Sequence, residues 1–142
     1  MTDLLRPQDL KKISTEKEMA KANEAMGRMQ KEKEEADALH DAFMSREIHP
    51  EVKQRINAVV ARAADSGINE VLVVKFPSSY CNDSGRRINN AEADWADSLE
   101  GFAKVAMAYY DKELKPLGFR VQARVLDYPG GMPGTVGLFL RW

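Results

Sequence analysis

FRVQARVLDYPGGMPGTVGLFLRW, Phe119 to Trp142, is the stretch that decides the fold class. Phe119, Val121, Ala123 and Val125 alternate with Arg120, Gln122 and Arg124, the period of a strand with one buried face. YPGGMPG then supplies the proline and glycine of a wide turn. GTVGLFLRW alternates again and turns Val136, Leu138, Leu140 and Trp142 inward. Two such segments around a turn predict an antiparallel hairpin.

Upstream of the hairpin, Trp95, Leu99, Phe102, Ala106, Tyr109 or Tyr110, and Leu114 recur at helical spacing, and Gly118 is placed to close the helix. Asn89 with Glu92 three residues on offers it a capping signal. EVLVVKF, residues 70–76, has no polar side between Val71 and Val74, which predicts a strand covered on both faces or central in a sheet, ended by Pro77. A further helix is predicted from Pro50, with Val52, Ile56, Val59, Val60 and Ala63 as its apolar face and Gly67 as terminator.

Residues 8–48 are rich in Lys, Glu, Ala and Met, lack proline, and contain one glycine, Gly27. They predict one long helix. Met19, Ala22, Met26, Met29, Lys33, Ala36, His40 and Phe43 follow alternating spacings of three and four, the seam of a coiled coil. A helix this polar needs a partner chain or a groove on its own domain.

The element order therefore predicts an α+β protein: a helical arm over residues 1–48, then a compact domain over residues 49–142. That domain runs helix, strand, helix, strand, strand. A right-handed crossover between the first two strands gives a small three-stranded mixed sheet that ends in the antiparallel hairpin.

Composition narrows the function. The 142 residues carry 21 basic and 22 acidic side chains, a net charge of −1, so no global field draws the chain to nucleic acid or to an anionic membrane. Any such partner requires a local patch. No apolar run reaches the roughly 20 residues of a membrane span, and the N-terminal MTDLLRPQDLKK has no apolar core of a secretory signal. One cysteine permits no intrachain disulfide, and His40 and His49 do not share a metal-ligand spacing. These features predict a cytoplasmic protein with no membrane partner, no structural metal and no cofactor.

Two local features carry candidate chemistry. CNDSGRR, Cys81 to Arg87, resembles the C-x5-R spacing of cysteine-dependent phosphatases. That resemblance implies a thiolate at Cys81, a bidentate phosphate contact from Arg87, and Asp127 as the acid that protonates the leaving group. The chain departs from the family pattern at three points. The strand ends at Pro77, before the cysteine; INNAEAD separates Arg87 from the helix at Trp95; and only three strands are predicted. Without catalysis, Ser84, Gly85, Arg86 and Arg87 form a donor-rich loop suited to an anion.

The second feature is the polar side of the hairpin. Arg120, Gln122, Arg124 and Arg141 share a face with Phe139, a combination that can stack and hold single-stranded RNA. Residues 51–142 carry 12 basic and 11 acidic side chains, however, which is little charge for phosphate binding. The reading favoured by the sequence is non-enzymatic: an interaction or assembly protein whose arm, through Met19, Met26, Met29 and Phe43, joins a second copy or another protein.

Overall fold

A computed structural model describes residues 3–142. Met1 and Thr2, which open the segment read as lacking a signal, lie outside the described residues. The elements are α1 (Pro7–Ser45), α2 (Val52–Asp65), β1 (Glu70–Pro77), α3 (Arg86–Asn89), α4 (Gly101–Tyr109), β2 (Arg120–Val125) and β3 (Thr135–Arg141). The α+β class, the long first helix and the terminal hairpin are as the sequence predicts. The chain divides into two compact units between Asp41 and Ala42, within α1.

In the first unit the helix is long because its sequence holds good helix formers and no proline after Pro7, which sits at its first position. It has no buried residue. Met19, Met26 and Met29 are 61–68% exposed.

In the second unit the sheet order is β1-β3-β2, and both pairings are antiparallel. The expected mixed sheet is therefore corrected to an antiparallel one. β1 and β2 do run in the same direction, but β3 lies between them. The reason is in β3 itself: Val136, Gly137, Leu138 and Leu140 are all buried, and pairing on both edges satisfies its backbone N–H and C=O groups while covering its apolar side chains.

β1 is consequently an edge strand, not the central one its apolar run suggested. Leu72 pairs with Phe139 and Val74 with Leu138, so Val73 is the extra residue of a β-bulge. The bulge resets the alternation. Val71, Val74 and Phe76 sit opposite Leu140, Leu138 and Val136 on the core side, while Glu70 and Leu72 sit opposite Arg141 and Phe139 on the other. Four consecutive apolar residues thus mark a phase change within a strand whose Leu72 and Val73 are 41% and 42% exposed.

The core packs Val74, Phe76, Val136 and Leu138 against Leu99, Phe102, Ala103, Ile88 and Cys81. The helix expected from Trp95 begins later. Trp95–Ser98 is a 3-10 turn, Leu99 is extended, and α4 starts at Gly101. Its C-terminal end widens into a π turn (Tyr110–Leu114) and then tightens into a 3-10 turn (Lys115–Leu117) that ends at Gly118, the expected terminator, in the left-handed conformation. The last turn of α1 belongs to this unit: the Phe43 ring lies 4.9 Å from Tyr80, 5.4 Å from Phe76 and 6.1 Å from Phe102.

Candidate functional site

The Cys81 loop begins where β1 ends. Ser78 is buried, and its N–H and Oγ donate to the carbonyls of Gly134 and Pro133, which ties the loop to the hairpin turn. After a 3-10 turn at Ser78–Tyr80, Cys81 enters the core at 5% exposure. Ser84 (φ 58°) and Gly85 (φ 83°) then reverse the chain into α3. Arg87 is thereby in the first turn of a short helix, and the gap expected between it and a helix is absent.

This geometry fills the anion position from within. Asp83 Oδ1 accepts the Gly85 N–H at 3.0 Å and Asp83 Oδ2 accepts the Arg87 N–H at 3.0 Å. The Arg87 guanidinium lies 3.8 Å from Asp83 and 3.7 Å from Asp94, and Arg86 pairs with Glu92 at 3.2 Å. Donors that a phosphate would require are already engaged with carboxylates. Burial pushes the Cys81 thiol up to about 11; a hydrogen bond with Ser98 opposes the shift, and the negative charges of Asp83 and Glu100 add to it. The thiol is therefore neutral near pH 7, the opposite of the thiolate a phosphatase uses. Asp127 serves the turn: its Oδ1 accepts the Thr135 N–H at 2.6 Å and its carbonyl accepts the Gly134 N–H at 3.0 Å.

The polar face of the sheet brings together Gln122, Arg124, Phe139 and Arg141 of the residues predicted there and adds one the sequence reading missed. Arg124 donates from Nη1 to Glu70 Oε1 at 2.8 Å and from Nε to Gln122 Oε1 at 3.0 Å, with its guanidinium 4.3 Å above the Phe139 ring. Arg141 Nη1 donates to Gln122 Oε1 at 3.1 Å. Its Nε lies 3.2 Å from Glu70 Oε2, within ion-pair distance but off the line of a hydrogen bond, and is a buried atom left without such a bond. Glu70 thus pairs with two of the three arginines, leaving one net positive charge among the three groups, and Phe139 carries a guanidinium on its ring. Arg120 stands apart from this network.

The hydrogen bonds from Arg124 hold the Glu70 carboxyl below its ordinary 4.5; partial burial opposes the shift, and the charges of Arg124 and Arg141 reinforce it. Glu70 could have been found from its pairing with Arg141, but that register was not legible before β1 was known to pair with β3.

Among the described residues no three His, Cys, Asp or Glu side chains are grouped to hold a metal ion, and no helix is long and apolar enough to cross a membrane. No protein-family model matches the chain, and comparison with curated proteins and with solved structures finds no match either.

Proposed function

We propose that this chain is a cytoplasmic assembly protein that joins copies of itself through α1. The observation that carries the reading is a 39-residue helix with no buried residue on which Met19, Met26 and Met29, at seam spacing, are 61–68% exposed. At 1.5 Å per residue such a helix is about 58 Å long. It has little tertiary packing of its own to offset the entropy of ordering it. Pairing with a second copy brings methionines into contact, and each fully buried side chain of this kind contributes about 1.5–3 kcal/mol. Methionine suits such a seam because its unbranched side chain adapts to an imperfect partner surface. Ala22 and Ala36 allow close approach, while Lys33 and His40 at seam positions keep the association weak and set its register. Phe43 contributes to the core of the compact unit, so the seam rests on the three methionines.

Sedimentation velocity of the full chain across a hundredfold range of concentration tests this. The wild type is expected to associate with rising concentration, and Met19→Lys/Met26→Lys/Met29→Lys to remain monomeric with unchanged near-ultraviolet circular dichroism. A wild type that stays monomeric throughout, or a triple variant that associates equally well, removes the proposal.

A further inference from the structure

Within the compact unit, a cavity of about 250 Å³ lies between α2, the edge strand β1 and α4. Ile56 and Val60 of α2, Val71 and Val74 of β1, and Ala106 and Met107 of α4 are among the side chains that line it. α2 turns its apolar face towards this space, yet none of its residues is buried. The helix therefore roofs a void instead of closing onto the sheet, and the lining atoms lack partners on that side.

The polar lining is one-sided in charge. Arg46, His49 and Arg55 also line the cavity and are exposed, which places them where it opens to solvent. Arg46 stacks over the Phe102 ring at 4.0 Å. Among the described residues neither Arg46 nor Arg55 is in an ion pair with a carboxylate. His49 sharpens the point. Its Nδ1 accepts the Glu51 N–H at 3.0 Å, so in the neutral ring the hydrogen resides on Nε2. Nε2 in turn lies 3.2 Å from Arg55 Nη2, which is itself a donor. The Glu51 N–H and the Arg55 guanidinium thus both approach a ring that, when neutral, accepts at one nitrogen alone, so one donor is left for a carboxylate oxygen to accept.

We propose that this cavity binds a medium-chain monocarboxylate, its hydrocarbon chain inside and its carboxylate held by Arg55, His49 and Arg46. The volume sets the length. At about 30 Å³ per non-hydrogen atom it accommodates about eight, enough for the hydrocarbon chain of octanoate with its carboxylate outside. The net positive charge at the opening selects an anionic head; Tyr109 and Tyr110 also line the wall, but the Tyr110 hydroxyl already donates to the Phe119 carbonyl, and the mainly apolar interior selects an unsubstituted chain. This site is independent of assembly through α1.

The test is calorimetric titration of the full chain with octanoate, and in parallel with octanol and octylamine. Octanoate is expected to bind saturably at one site per chain, with octanol about tenfold or more weaker and octylamine not binding, because the charge-assisted hydrogen bonds are lost or repelled. Arg46→Gln/Arg55→Gln, at exposed positions, is expected to weaken octanoate by at least about tenfold while leaving octanol unchanged. Val60→Phe fills the cavity and is expected to abolish binding of both; should it fail to fold, the arginine variant and the ligand series still decide. Absence of saturable octanoate binding overturns the proposal, as it does if the cavity's occupant is instead an apolar segment of a second copy. Equal affinity for octanoate and octanol, or octanoate binding indifferent to the arginine substitutions, overturns it as well.

Discussion

Cys81 and Glu70 show opposite uses of a titratable group. The Cys81 thiol, raised from its ordinary 9.0 to about 11 by burial, is held neutral in the folded chain. Near pH 7 it is expected to react with a thiol reagent no faster than the protein unfolds. Its contribution to stability is complete below pH 9 and is lost as pH rises from 9 towards 11, because there the unfolded chain releases a proton that the folded one retains. The difference amounts to on the order of 3 kcal/mol. Urea unfolding of wild type and Cys81→Ala over that range isolates it from the tyrosines and lysines: the variant is expected to decline less steeply. A parallel decline would contradict a buried neutral thiol.

Glu70 runs the other way. Its carboxyl lies below its ordinary 4.5 through hydrogen bonds from Arg124, so the stability it provides is present above pH 4.5 and is lost as pH falls through the lowered value. Glu70→Gln is expected to lower the urea midpoint at pH 7 and to match wild type at a pH where the wild-type Glu70 is protonated in both the folded and the unfolded chain. A deficit that persists unchanged in acid would mean that shape, not charge, is what the side chain supplies. The sequence alone placed Arg120, Gln122, Arg124 and Arg141 on one face because their parity is local. It did not show Glu70 among them, since the bulge at Val73 breaks the parity of β1 and only the pairing with β3 restores it.

At the scale of elements, Gly101 governs where α4 begins and where α1 ends. Its φ is +58°, and a Cβ there would stand 2.8 Å from the Met44 Cα and 3.0 Å from the Phe43 carbonyl oxygen. Backbone approaches backbone at this point, so a side chain cannot be accommodated by a rotamer change. Gly101→Ala is expected to destabilise the compact unit by about 1–2 kcal/mol from the left-handed conformation alone, and by more as the last turn of α1 is pushed off Phe102. Chemical denaturation measures the loss, and a change below about 0.5 kcal/mol would exclude that close approach. The apolar spacing of α4 was legible from Phe102 onward. Its start was misplaced at Trp95 because Trp95 and Leu99 fit helical spacing without being helical: a 3-10 turn followed by an extended residue delivers both side chains inward as well. The glycine was the available signal.

For the molecule as a whole, the two units differ in what holds them. Residues 7–41 are helical without a buried side chain, whereas Val136, Leu138 and Leu140 of β3 are at most 2% exposed. Hydrogen exchange at low protein concentration is therefore expected to be orders of magnitude faster in residues 7–41 than in β3, where it requires global unfolding. Raising the concentration is expected to slow exchange in the helix and leave β3 unchanged, as assembly through α1 requires. Protection of both units that is equal and independent of concentration would count against it.

The sequence by itself determined the elements: the alternation around Ala123 and Leu138, the helical spacing from Phe102 to Leu114, the proline-free run after Pro7. These are properties of a few neighbouring residues, since the periods of strand and helix are imposed by the backbone. The tertiary structure decided the rest. β3, closed against β2 by the hairpin, still had an unpaired edge and the most apolar side chains, and β1 took that edge. This choice between distant segments made the sheet antiparallel, shifted the phase of β1 at Val73, and brought Glu70 to its arginines. Asp83 fills its own loop for a related reason: only the left-handed turn at Ser84 and Gly85 aims the backbone N–H groups at that carboxylate. Partner choice depends on which edges, donors and surfaces remain unsatisfied once the local elements have formed, and no local period encodes it.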